Sequence, residues 1–142
     1  MSLRFLLDSN VLSEPPRRTP NAHVMQRLRA HVGEIAIATV VWHEMVYGMF
    51  RLPESPKRAQ LTDYLYRTVR MTVAILDYNE DAAHWHAAER ARLEALGKST
   101  SFADGQIAAI AHVHGLTLVT RNLADFASFE GLQMETWHEI LA

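Results

Sequence analysis

Residues 4–12 read Arg4-Phe5-Leu6-Leu7-Asp8-Ser9-Asn10-Val11-Leu12. The apolar run is short and stops at three small polar residues that favour a turn. It predicts a buried strand over Arg4–Leu7 with an acid at its carboxyl end. Four more short apolar runs follow, at Glu34–Ala38, Thr72–Leu76, Leu116–Val119 and Leu132–Glu135. None alternates polar with apolar residues, as strands covered on both faces need not.

Helical patterns lie between these runs. One covers Asn21–Val32. Thr39 offers an N-cap for a second, through about Phe50, with Trp42, Met45, Val46, Met49 and Phe50 at the spacing of a buried stripe. Others cover Pro56 to about Arg70, Asn79–Leu96 closed by Gly97, and Ser101–His114 closed by Gly115. Short helices are expected at Asn122–Ser128 and at the C-terminus. Strands alternating with helices predict an α/β fold around a parallel sheet. Ligands in such folds bind beyond the carboxyl ends of the strands, where strand order reverses.

The length of 142 residues fits one domain. Fourteen Lys and Arg face 16 Asp and Glu, a net charge of −2. A basic coat for nucleic acid is thereby excluded, so contact with nucleic acid must come from local patches or a bound metal. With no Cys, disulfide frameworks, Cys–zinc sites and Cys nucleophiles are excluded. No apolar run approaches a membrane span. Asp8 interrupts what would be the apolar core of a signal peptide, so a cytoplasmic location is expected.

Four acids fall near strand ends or on adjoining helices: Asp8, Glu44, Asp104 and Asp125. Each has a local alternative. Asp8 suits an Asx turn, while Ser101–Asp104 and Asn122–Asp125 have capping-box spacing. Glu44 lies roughly opposite the apolar stripe of its helix, where a solvated Glu is expected, yet its neighbours one turn away are Val40 and Gly48, which suggests a closely approached apolar face. Four carboxylates in one cleft repel one another unless a cation lies among them. Their hard oxygens suit Mg²⁺ or Mn²⁺ and the hydrolysis of a phosphodiester.

Four segments carry a family resemblance over nearly the whole chain. They are Phe5-Leu-Leu-Asp8-Ser9-Asn10-Val11-Leu12, Ile37-Ala-Thr-Val-Val-Trp-His-Glu44-Met-Val-Tyr-Gly48, Phe102-Ala-Asp104-Gly-Gln-Ile-Ala-Ala-Ile-Ala111 and Leu118-Val-Thr-Arg-Asn122-Leu-Ala-Asp125-Phe126. In this order they resemble the motifs of the PIN-domain ribonucleases, and within them the VapC-type toxins of type II toxin–antitoxin pairs. Gly105 departs from the pattern, which has a larger apolar residue there.

The resemblance implies a three-layer α/β/α PIN-like domain over residues 1–142, with a mostly parallel central sheet. It implies cleavage of RNA with Mg²⁺ or Mn²⁺, the acidic quartet being Asp8, Glu44, Asp104 and Asp125. Asp8 and Asp104 are expected to hold the metal directly. Glu44 and Asp125 would act through water or a second ion. Asn10, Thr120 and Asn122 would orient the carboxylates, and Arg121 would meet a phosphate or pair with an acid. A homodimer is implied, with a small antitoxin whose Arg-bearing arm enters the acidic cleft. Operator DNA would be bound only through the antitoxin.

Other readings compete less well. His43-Glu44-Met-Val-Tyr47 lacks the second His of a zinc motif. The remaining His read as helix-surface or terminal-turn residues. A receiver-type phosphoacceptor domain would use Asp77, directly after the third strand, but the Lys it requires after a late strand is missing. A catalytically inactive PIN-like binding module is the other alternative. The pairs Arg17/Arg18 and Arg27/Arg29 read either as an RNA path or as solvated charge.

Overall fold

The computed structural model describes residues 2–138. Five strands form one sheet: β1 (Phe5–Leu7), β2 (Ile35–Ala38), β3 (Ala74–Leu76), β4 (Thr117–Val119) and β5 (Met134–Glu135), in the order β3-β2-β1-β4-β5. Every pairing is parallel. Helices cover the sheet in a three-layer α/β/α arrangement, so the three central strands are almost wholly apolar and buried. All five strands predicted from sequence are present. The expected C-terminal helix falls largely outside the described residues. Among the described residues no helix is long and apolar enough to cross a membrane.

The helices are α1 (Ser9–Leu12), α2 (Ala22–Ala30), α3 (Thr39–Arg51), α4 (Pro56–Asp63), α5 (Arg70–Thr72), α6 (Glu80–Ala95) and α7 (Phe102–Val113). Side chains of Asn21, Ser55, Asn79 and Ser101 cap α2, α4, α6 and α7 by accepting amides of the first turn. Thr39 does not cap α3. It is already helical, and Ala38, which precedes it, makes no side-chain cap bond. Asn122 likewise makes no cap bond; only a 3₁₀ turn, Leu123–Asp125, follows it.

Two stretches differ from the sequence expectation for packing reasons. Between α4 and α5 the chain takes a π-helical turn, Tyr64–Val69. There Leu65 and Val69 are both buried, and the Tyr64 hydroxyl donates to the Leu12 carbonyl at 2.6 Å. The wider turn lets one segment meet both demands. Helical structure then runs on to Thr72, so β3 starts at Ala74 rather than Thr72. On α3 the buried residues are Val41 and Met49, and Phe50 is 61% exposed. The apolar stripe is centred on Val41, Met45 and Met49, and Phe50 has drifted off its edge.

The chain steps from β1 to β2 to β3 on one side, then crosses to β4 and β5 on the other. The reversal lies between β1 and β4. Leu7 pairs with Val119, so the next residues, Asp8 and Thr120, leave the sheet side by side.

Candidate active site

Asp8 is 7% exposed and held as an acceptor on several sides. Its Oδ1 accepts the Ser9 amide at 2.8 Å, which makes Asp8 the N-cap of α1. Its Oδ2 accepts the Thr120 hydroxyl at 2.8 Å and Asn10 Nδ2 at 3.4 Å. Thr120 is fully buried, and its oxygen in turn accepts the Asn122 amide at 3.1 Å and Asn10 Nδ2 at 3.4 Å. Asn10 Oδ1 accepts the Arg121 amide at 3.0 Å. These bonds tie the loop after β1 to the loop after β4. The Asx-turn reading of Asp8 is therefore partly right, but a local turn alone does not require Thr120.

Asp104 reaches the same crevice from α7. Its amide donates to Ser101 Oγ at 3.0 Å, so the capping relationship also exists. Burial holds the Asp104 carboxyl above the ordinary Asp range, and the charges of Asp8, Asp125 and Glu44 push it further the same way. The Ser101 hydroxyl opposes this only in part. Asp104 thus registers the field of all three other acids. Asp125, in the 3₁₀ turn, and Glu44, on α3, are solvent-exposed.

The approach expected around Glu44 is absent. Apart from its chain neighbours and the backbone of its own helix, nothing lies within 4 Å of where a Cβ on Gly48 would sit. The glycine instead widens a cleft of about 850 Å³ that Glu44 shares with Arg17, Arg18 and Lys57. Arg17 also pairs with buried Glu14 at 2.9 Å. Arg27 is tied to Glu135 at 3.4 Å and lies over Trp137. Asp77 is exposed at the end of the outer strand β3, two strands from β1, and does not join the acids.

Sequence reading missed one neighbour of the site. His86, taken as a helix-surface residue, is 2% exposed. Its ring fills the space beside Gly105, and its Nδ1 is 2.8 Å from the Tyr78 hydroxyl. Gly105, where a larger residue was expected, was the available signal.

A model of the PIN domain matches residues 5–132. The chain belongs to the PIN-domain family. It is 32% identical to toxin FitB of Neisseria gonorrhoeae over 95% of this chain and 99% of that protein. It is 31% identical to the tRNA(fMet)-specific endonuclease VapC of Shigella flexneri, over 95% and 98%. A solved structure described as FitAB bound to an IR36 DNA fragment contains a chain of similar fold. That match has a TM-score of 0.86 and 30% identity, covering 96% of this PIN domain chain and 98% of the other.

Proposed function

We propose that this PIN-domain chain, one domain over residues 1–142, is a divalent-metal-dependent endoribonuclease and the toxin of a type II toxin–antitoxin pair. The observation that carries the reading is the place and fixing of Asp8: it leaves β1 at the switch point, buried, with its carboxylate held by Ser9, Asn10 and Thr120. Asp104 lies near enough for the charges of Asp8, Asp125 and Glu44 to bear on its carboxyl, an arrangement that a cation would relieve.

The donors fit a hard cation. They are carboxylate oxygens supported by hydroxyl and amide groups, a set that suits Mg²⁺ or Mn²⁺. Among the described residues no three Asp, Glu or His side chains stand close enough to hold one ion together. Two direct carboxylates, Asp8 and Asp104, with water completing the shell, match the habit of Mg²⁺. Glu44 and Asp125 would act through water or on a second ion. A bound cation supplies charge to the phosphodiester and acidifies a water.

The chain's own groups do the rest. Ser9, Asn10 and Thr120 fix the Asp8 carboxylate, and Asn122 holds Thr120 through its amide. Exposed Glu44 or Asp125 accepts the proton of the attacking water. Arg121 is assigned to a substrate phosphate. The name of the Shigella relative makes tRNA the first RNA class to assay. The name toxin FitB and the DNA-bound FitAB complex support an antitoxin partner, with operator DNA reached through it. A cytoplasmic homodimer completes the proposal.

The test is cleavage mapping on total RNA with wild type and Asp8→Asn. Cleavage is expected with Mg²⁺ or Mn²⁺, lost in EDTA and lost in Asp8→Asn. Undiminished cleavage in excess EDTA overturns the metal reading. No cleavage of any RNA favours the inactive binding module.

A further inference from the structure

Asp104 rides on the first turn of α7, and the next residue has no side chain. A glycine there weakens the helix start by up to about 1 kcal/mol and leaves position 105 with no side chain to set against α6. The space is nevertheless filled. A Cβ built on Gly105 would overlap the His86 imidazole, 2.6 Å from both Cδ2 and Cε1 and nearer still to Nε2. The ring comes from α6 and lies against bare backbone.

Two further aromatic groups fix that ring. The Tyr78 hydroxyl shares a 2.8 Å hydrogen bond with His86 Nδ1. Phe102, in the same first turn as Asp104, has its ring centroid 4.8 Å from that of His86 and 6.2 Å from that of Tyr78. Phe102 and Gly105, on either side of Asp104 in the chain, thus both rest on one buried imidazole. Burial, with Arg90 nearby, holds this imidazole below the usual His pKa. A neutral ring can lie against backbone without the cost of burying a charge.

We propose that His86 is a positioning residue for Asp104: held by Tyr78, its ring replaces the side chain missing at Gly105 and seats the turn that carries the carboxylate. His86 and Gly105 are then one exchangeable unit. A side chain at 105 requires a smaller residue at 86, and a smaller residue at 86 requires a side chain at 105. The functional half of this inference rests on Asp104 as a cation ligand; the packing half does not.

The experiment compares Gly105→Ala, His86→Ala, Tyr78→Phe and the pair His86→Ala/Gly105→Ile in the full chain. Amide hydrogen exchange at Asp104 and Gly105 is read without metal, and Mn²⁺ affinity by electron paramagnetic resonance. Gly105→Ala and His86→Ala should each speed exchange at these amides by about tenfold or more. Both should weaken Mn²⁺ binding about 10–100-fold, as loss of an outer-sphere support does. Tyr78→Phe, which removes one hydrogen bond and almost no volume, should shift exchange in the same direction by less.

The pair should return both quantities to near wild type, a recovery that general destabilisation would not produce. Unchanged exchange in the single variants, or a pair as impaired as the two singles combined, overturns the proposal. If His86→Ala does not fold, Gly105→Ala and Tyr78→Phe decide the matter by the same readouts. Wild-type protein that binds no Mn²⁺ overturns the metal reading of the site, and the exchange data then decide the role of His86.

Discussion

The Thr120 hydroxyl donates to Asp8 Oδ2 at 2.8 Å, joining residues 112 positions apart at the ends of adjacent parallel strands. The bond is buried, and Thr120 has no solvent exposure. Thr120→Val keeps the shape and removes the donor. It should cost about 1.5–3 kcal/mol in urea unfolding with chelator present, the range for a hydrogen bond to a charged group. Mn²⁺ affinity should fall about 10–100-fold. Thr120→Ser should retain most of both, and equal losses for Ser and Val would mean the methyl group matters more than the hydroxyl.

The raised pKa of Asp104 makes a signed prediction for metal-free protein. A carboxyl held above its unfolded value binds its proton more tightly in the native state. Between the ordinary Asp pKa and the raised native one, its contribution therefore destabilises progressively as pH rises. Above both values the penalty is constant. Asp104→Asn should remove it, so in EDTA at neutral pH the variant should melt at or above the wild-type temperature. The difference should shrink as pH falls through that window. A large drop in melting temperature at all pH values would mean that Asp104 serves α7 chiefly as a capping residue.

The same field predicts how an inhibitor engages the site. On the proposed reading, acids left without a cation make a negative field that attracts an Arg side chain, whose planar fork can bridge two carboxylates. A cognate antitoxin should carry such an Arg on a flexible arm. The check is co-expression, then Arg→Ala scanning of the arm with RNA cleavage by the complex as readout. If no single or paired change relieves inhibition, the partner acts elsewhere, for example on a dimer contact.

The strands were readable because each is a short apolar run ended by a polar residue, and burial on both faces leaves little sequence ambiguity. The place of Asp8 in the chain was legible too; its neighbour across the sheet was not. Asp8 falls directly after β1, whereas its place beside Thr120 rests on the pairing of Leu7 with Val119, which no local pattern announces. What escaped depends on contacts made far along the chain. Nothing local in Tyr64–Val69 announces a π turn, which coincides with a Tyr64 bond to the Leu12 carbonyl, 52 residues away. Buried Glu14 escaped only partly for that reason: Arg17 and Asn21, which donates to it at 2.7 Å, are near in the chain, while His138 is 124 residues away. His86 looked like any polar helix residue because the space it fills belongs to a glycine on another helix.

On the proposed reading, the pairing of Asp8 with Thr120 also sets the point in synthesis at which the site can first exist. Asp8 and Glu44 precede the exposed stretch Gly97–Ser99, while Asp104, Thr120 and Asp125 follow it. A nascent chain that has left the ribosome only as far as that stretch has two acids and neither the β4 strand nor the hydroxyl that fixes Asp8. Synthesis must run nearly to its end before the crevice closes. A gene divided at Gly97–Ser99 should likewise yield two fragments that each lack part of the proposed site, and any RNA cleavage should depend on their meeting.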